Sequence, residues 1–475
     1  MSQTQILPKS IHFLGIGGAG MNPLSGICLK NGITVTGSDS TANKNQEELR
    51  KLGADIWTPH SLEELKRRPL PEVCAYSTAI LPTNEEYKYL KEQGVEFWHR
   101  SDLLRAIASQ FKKQIVISGT HGKTTTTAML IWLLERAGLK PCWVLGGVLK
   151  DLGSYGWNNE QREVFIFEGD ESDQSFLKSN PFIGLVTSLE PDHLENYQNS
   201  FKVQIQKFQE FAEKSKTFIC SNSCSQHFDQ SALIYSDVST ARPDASWSLS
   251  DSSDSSPIKV LKTLDLSKKS NIKNTSTETL KIPKAPGKHN MLNALGAIAI
   301  ADLLDISIED SIKNLYEFPG IYRRFEIIGK TENGITVVDD YAHHPTEVKA
   351  AIEAGRRYLK EQNSNGHLIV LFQPHLPTRL RDLWKEFTKC FEGADHLFLS
   401  DLYIARGEHL PGIDCTNLAK QIKHNSLNFI EGSPNNLVEP VLKLAESGDL
   451  ILILGAGDIT YIRETLYEKL RLKHH

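Results

Sequence analysis

Short apolar runs ending in glycine, acids or histidine alternate along this chain with longer stretches whose apolar residues recur at three- and four-residue spacing. That alternation predicts strands feeding helices in an α/β fold. The run IHFLGIGG from Ile11 enters a glycine-rich turn, then a helical stretch to about Gly32, then a second strand, ITVTGSD, over 33–39. Together they make a βαβ unit. VCAYSTAI at 73–80 continues the pattern as far as the polar stretch FKKQ near Phe111, and a boundary is expected near Ala108. A new unit opens with the strand QIVISG, 114–119, which feeds a helix of apolar spacing, TTTTAMLIWLLERAG, that stops at Gly138. VFIFEGD at 164–170 and FIGLVTSLEPDH at 182–193 read as strands delivering acids and histidine to one sheet edge, where ligands of open α/β sheets bind. A helix is expected from Asn290 to about Leu304. From Ile335, ITVVDDY, LIVLFQPH, HLFLSDLY and DLILILGAGD alternate with helical stretches and predict a further α/β domain. The Ser-, Lys-, Asn- and Thr-rich segment 246–280 breaks the pattern, and is expected to form surface strands joined by mobile loops.

Length agrees with this division, since 475 residues allow three domains of about 100–200 residues, each with its own core. Hydrophobic content of 40% and charged content of 23% are those of a soluble globular chain. A formal net charge of −5 argues against a protein that coats nucleic acid. No charged leader with an apolar core opens the chain and no run of about 18 apolar residues occurs, so no membrane association and a cytoplasmic location are expected. The seven cysteines form no C-x-x-C pair, so neither zinc nor a disulfide framework is indicated. Cys220 and Cys224 are the nearest pair, and a reducing compartment fits them.

Candidate chemistry concentrates at the strand ends. GTHGKTTTT, from Gly119, lacks the outer glycine of the common G-x-x-x-x-G-K-[ST] loop, because Ile117 stands there. The loop can still cradle phosphate through backbone N–H groups at a helix N-terminus. Gly119 and Gly122 permit the tight path, with Thr120, His121 and Thr125 around it; Lys123 would reach β and γ oxygens, and Thr124 would place its hydroxyl on Mg²⁺. A metal there needs oxygen ligands, and FEGDESD offers Glu168, Asp170, Glu171 and Asp173, while LEPDH offers Asp192 and His193. The fold class expected is therefore α/β with an N-terminal Rossmann-like domain (1–108), a central P-loop ATPase-like domain (109–318) and a C-terminal Rossmann-like domain (319–475).

GIGGAG, with Gly15, Gly17, Gly18 and Gly20, satisfies G-x-G-x-x-G after a strand, and Asp39 follows about 20 residues on. Read alone it suggests NAD or FAD with Asp39 on a ribose hydroxyl. Physically it specifies a diphosphate over a helix N-terminus, which a nucleoside diphosphate sugar also supplies. In the third domain, DDYAHHP and FQPHLPTRLRD lie at strand ends; the paired histidines suit polar substrate better than metal, and Arg379 or Arg381 can clamp a carboxylate.

Taken together, GTHGKTTTT, GIGGAGM, GSD at Gly37, STAI at Ser77, DESDQSFL, EPDHLENY, GKHNMLNA, RRFE and DDYAHHPTE resemble the Mur ligase family of peptidoglycan synthesis across essentially the whole chain. The family's form of the ATP loop is G-T-x-G-K-T. Through ESDQSF, FQPHLPTR and LGAGDI the chain is most similar to members that add L-alanine to UDP-N-acetylmuramate, with those recycling a murein tripeptide onto the same nucleotide sugar as the alternative. The resemblance implies ATP and Mg²⁺, an acyl-phosphate intermediate, closure during turnover, and a monomer or weak homodimer. It implies catalytic roles for Lys123, His193 and His344. It places metal on Thr124, Glu168 and His193, and adenine and ATP contacts on His289, Asn290 and Arg324. UDP-sugar would lie along Gly15–Gly20, Met21, Asp39, Ser77, Thr78 and Ala79, and L-alanine against His344 and Arg379. Two departures stand out: Leu376 and Pro377 replace the usual Arg-Tyr after FQPH, and Gly169 stands where alanine is common. A dinucleotide oxidoreductase and a nonenzymatic ATP switch are competing classes, and neither accounts for all three domains.

Overall fold

The computed structural model describes residues 6–158, 162–229, 231–237, 245–249, 258–265, 270–404 and 409–473. They group into two compact units, Met1–Lys281 with Leu292–Glu317, and Ile282–Met291 with Phe318–His475.

The first unit holds two sheets. In the smaller, β1 (Ser10–Leu14), β2 (Thr34–Ser38), β3 (Asp55–Trp57), β4 (Val73–Tyr76) and β5 (Glu96–His99) lie in the order β3-β2-β1-β4-β5. Every pairing is parallel. Strand order reverses beside β1, so the turn after β1 and the turn after β4 leave the sheet into a common crevice. Ile11, Phe13 and Leu14 are fully buried, as a central strand covered on both faces requires.

The larger sheet contains β6 (Lys113–Ser118), β7 (Cys142–Leu149), β8 (Gly153–Gly156), β9 (Val164–Glu168), β10 (Ile183–Val186), β11 (Thr217–Ser221), β12 (Leu233–Ser236), β13 (Trp247–Leu249), β14 (Val260–Asp265) and β15 (Ser270–Thr275). Their order is β15-β14-β13-β12-β11-β10-β6-β9-β7-β8. β6 sits between β9 and β10, both parallel to it, so the loops after these three strands share one edge. The structure differs from two of the expectations drawn from the chain's pattern. The strand expected over 182–193 ends at Val186: the Thr187 N–H makes a last bond to Ser118 O of β6, after which the Thr187 hydroxyl donates to the His121 carbonyl and the Ser188 carbonyl accepts the Thr120 N–H, so the chain turns to the loop after β6. The Ser-rich segment expected at the surface begins with a buried strand, β13. Trp247 and Leu249 supply its apolar contacts, and serine is small enough to be buried beside them. Trp247 Nε1 donates to Asp302 Oδ2 at 3.0 Å, and Lys262 Nζ bonds the same carboxylate. The expected loop positions 250–257 and 266–269 lie outside the described residues.

The second unit has one sheet, β16 (Glu326–Lys330), β17 (Thr336–Asp340), β18 (Leu368–Phe372), β19 (His396–Leu399), β20 (Leu427–Phe429) and β21 (Leu450–Leu454), in the order β16-β17-β21-β18-β19-β20. All pairings except β16 with β17 are parallel. LIVLF and LILIL are buried along their whole length, the continuous apolar runs of a sheet covered on both faces. The two edge strands, β16 and β20, carry too short a pattern to announce themselves.

Candidate active site

The loop after β6 holds its shape through its neighbours. Gly119 and Gly122 have φ of +129° and +84°, which L side chains rarely adopt. A methyl group on Gly122 would lie 2.4 Å from Asn293 Oδ1, and one on Gly119 would lie 2.3 Å from Thr187 Oγ1. Ser188 braces the turn: its carbonyl accepts the Thr120 N–H at 3.1 Å and its hydroxyl accepts the His121 N–H at 2.9 Å. The helix Lys123–Arg136 then starts directly from Gly122 with no side-chain cap. Its first amides are left for an anion.

Lys123 is turned back over this loop. Its Nζ donates to the carbonyls of Gly119 (2.6 Å) and Thr120 (3.1 Å) and to Glu171 Oε1 (2.8 Å). Burial works against the ammonium, but Glu171, Asp170 and Glu168 outweigh it and raise the lysine pKa. Burial raises the Glu171 pKa too, with Asp170 adding to it against the pull of Lys123. Glu168 receives Thr124 Oγ1 on one oxygen at 2.7 Å and the Gly146 N–H on the other at 2.6 Å. This hydroxyl and carboxylate are hard oxygen donors of the kind Mg²⁺ takes. No group of three His, Cys, Asp or Glu side chains among the described residues converges as a metal site, so phosphate and water oxygens would complete such a shell.

His193 immediately precedes the short turn Leu194–Tyr197, with its backbone in the left-handed region and Asp192 3.8 Å and Glu195 3.6 Å from its ring nitrogens. That turn is laced to the acidic loop: the Tyr197 hydroxyl donates to the Glu171 carbonyl, and Asn196 Nδ2 donates to Ser172 O at 2.6 Å.

A cavity of about 790 Å³ opens at the switch point of the first sheet. It is lined by the glycine turn, Met21, Asp39, Ser77 and Ala79, and also by Arg100, Gly146 and Asp170. The expected Thr78 is not in its lining. Asp39 serves the turn itself: Oδ2 accepts the Gly17 N–H and Oδ1 the Ser40 N–H, both at 2.8 Å. Arg100 is bridged to Asp170 and, at 3.0 Å, to Asp173.

In the second unit, His343, His344 and Arg324 gather around Glu347. His344 is buried and caps the helix Pro345–Glu361, its Nδ1 accepting the Thr346 N–H, while Glu347 accepts the His344 N–H in return. His343 Nδ1 lies 3.3 Å from Glu347. Burial, ahead of the opposing Glu347 charge, drives its pKa down to about 4. Arg324 lies 3.9 Å from Glu347 and stacks on Tyr341. Asp340 accepts the amides of Phe325 and Ala342, and burial lifts its pKa to about 6. Arg379 Nη1 is 3.4 Å from His375 Nδ1, and the His375 ring stacks on Tyr403 at 5.7 Å. His289 and Asn290 open the helix Lys288–Leu303, where Asn290 Nδ2 donates to Pro286 O.

Of the expected residues, the structure thus joins Lys123 with Glu171, Thr124 with Glu168, and the glycine turn with Ser77 and Ala79. The motif reading passed over Asn293, Ser188 and Arg100. Only WHRSDLL, an arginine directly after a strand, carried any signal for the last.

Three family models match the chain: "Mur ligase family, catalytic domain" over 10–112, "Mur ligase middle domain" over 117–301, and "Mur ligase, glutamate ligase domain" over 323–457. A UDP-N-acetylmuramate--L-alanine ligase of Dictyoglomus turgidum is 35% identical over 463 residues, 96% of each chain. The enzyme of that name from Rhizobium etli is 34% identical over 479 residues, again 96% of each. Among solved structures, the UDP-N-acetylmuramate-alanine ligase of Thermotoga maritima superposes with a TM-score of 0.77 at 26% identity, covering 98% of this chain and 99% of that one. A murein peptide ligase from Psychrobacter arcticus shares the fold, with a TM-score of 0.68 at 22% identity over 98% of this chain and 99% of its own.

Proposed function

The chain belongs to the Mur ligase family of ATP-dependent, amide-bond-forming ligases, and on that premise we propose that it joins L-alanine to the lactyl carboxylate of UDP-N-acetylmuramate. The observation that carries this reading is the continuity of the first unit's cavity with the phosphate loop. Gly146 and Asp170 line the cavity, while Gly146 N–H and Thr124 hold the two oxygens of one carboxylate, Glu168. A nucleotide sugar and a triphosphate would therefore meet across a single acidic side chain.

In the reaction, a lactyl carboxylate oxygen attacks the γ-phosphorus and the bond to ADP breaks, leaving an acyl phosphate. The amine of L-alanine then attacks the carbonyl carbon, phosphate departs with the C–O electron pair, and the nitrogen gives up a proton. Loop amides and Lys123 would offset the charge on the transferring phosphoryl group. Thr124 and Glu168, with His193, would hold Mg²⁺, which supplies charge neutralisation at the phosphates when bound. We assign His289, Asn290 and Arg324 to the adenine nucleotide, and His344 and Arg379 to the amino acid, Arg379 clamping its carboxylate. The three matched segments would serve in turn the UDP-sugar, ATP and the amino acid. Such a reaction supplies peptidoglycan precursor.

Phosphate release from ATP and Mg²⁺ with UDP-N-acetylmuramate tests this, with L-alanine, glycine, L-serine and the murein tripeptide as acceptors and product mass confirmed. Turnover that prefers L-alanine is expected. Turnover with tripeptide alone would move the enzyme to recycling, and silence with every amine would defeat the assigned reaction.

A further inference from the structure

The cavity that we assign to the nucleotide sugar is poor in positive charge for a ligand carrying a diphosphate and a carboxylate. Asp39 and Asp170 both line it, and among the described lining residues Arg100 is the one Arg or Lys. Arg100 opens the helix Arg100–Ala108, directly after β5, and its guanidinium reaches back over the last glycine of the turn. A methyl group placed on Gly20 would lie 3.3 Å from Arg100 Nη1 and 3.5 Å from Cδ. Its Nη2 is bonded to Asp170 and Asp173 in the loop that carries Glu171. The residue is 23% exposed, so the guanidinium is sheltered yet open to the cavity.

We propose that Arg100 is a substrate-binding residue that holds the diphosphate of the nucleotide sugar, exchanging one carboxylate of the acidic loop for it when the sugar enters. This rests on the reading of the cavity as the UDP-sugar site. A guanidinium presents donors on several edges at once. Nη2 can therefore keep a carboxylate while Nη1, over the glycine turn, takes a phosphate oxygen. Asp170 and Asp173 then compete with the ligand in the free enzyme and orient the arginine in the complex. Sugar binding is thereby coupled to the loop on which Glu171 pairs with Lys123.

The test is calorimetric binding of UDP, uridine and UDP-N-acetylmuramate to the full chain and to R100A, R100K and D173N. The proposal expects R100A to lose at least about tenfold in affinity for UDP, with uridine unchanged and R100K intermediate. It expects D173N to bind UDP more tightly, because one competitor for the guanidinium is gone. If Arg100 is only a strut, D173N and R100A will weaken UDP and uridine alike, which overturns the proposal. A loss for UDP-N-acetylmuramate without a loss for UDP would move the contact to the lactyl carboxylate and overturn the diphosphate assignment. Equal affinities in R100A and the unsubstituted chain would overturn this inference alone. Absence of UDP and UDP-N-acetylmuramate binding by the unsubstituted chain would overturn the reading of the cavity as well.

Discussion

Lys123 and Glu171 form an ion pair at 2.8 Å between the phosphate loop and the acidic loop after β9, the lysine 18% and the glutamate 5% exposed. A γ-phosphate that takes this lysine must draw it from Glu171. E171Q should therefore bind ATP a fewfold more tightly while lowering stability by about 1–3 kcal/mol, less than a sole partner would cost because Asp170 and Glu168 remain nearby. Calorimetric ATP binding and denaturant unfolding, read on the same protein, check both signs.

Gly122 and Asn293 constrain one another. G122A should cost about 1–2 kcal/mol from the left-handed backbone alone, plus the clash with Asn293 Oδ1 at 2.4 Å, and should reduce ATP turnover by at least about a hundredfold. Removing the obstructing amide in G122A/N293A should recover part of the stability but little of the turnover. Independent, additive effects of the two substitutions would contradict the contact.

Glu168 is held on both oxygens, by Thr124 and by the Gly146 amide. Replacing one oxygen by an amide in E168Q should raise the Mg²⁺ concentration for half-maximal turnover at least about tenfold, with a smaller change in ATP binding without metal. A Mg²⁺ titration of the steady-state rate measures it.

Arg379, with Nη1 3.4 Å from His375 Nδ1, is the residue assigned above to the carboxylate of the amino acid. R379K keeps the charge but loses the planar fork, so KM for L-alanine should rise at least about tenfold while KM for ATP stays within twofold or so. Varying each substrate in turn separates the two.

His343 and Asp340 pull the second unit's acid stability in opposite directions. With a folded pKa of about 4 against 6.5 for the free ring, His343 stays neutral in the fold while the unfolded chain takes up a proton. Stability from this source is complete above pH 6.5 and is lost as pH falls toward 4, on the order of 3 kcal/mol in all. Asp340, at about 6 against 3.8, binds its proton in the fold first, so it adds stability as pH falls through the same window. H343Q should flatten the decline between pH 6.5 and 4.5 and D340N should steepen it, read from denaturant midpoints at several pH values.

Much of this was legible because chemistry and pattern coincide at strand ends. Gly-Lys-Thr at a strand-to-helix joint and glycines after β1 are local features, and local geometry follows from them. What packs against them is not local. Asn293 meets Gly122 because the helix Lys288–Leu303 lies over the loop, and Ser188 meets Thr120 because β10 pairs with β6. Neither neighbour can be read from spacing along the chain. The Ser-rich segment misled for a related reason: composition averages over many positions, whereas burial of β13 turns on Trp247 and its partner Asp302.

Asp39 gives one oxygen to the Gly17 amide and the other to Ser40. The acid twenty-odd residues beyond G-x-G-x-x-G is thus a brace of the turn before any ligand arrives. Each oxygen keeps a further lone pair, and the side chain also lines the cavity. In this chain the familiar fingerprint is grammar without vocabulary: it declares that a diphosphate-sized turn exists, and leaves the choice of cofactor or substrate to the walls around it.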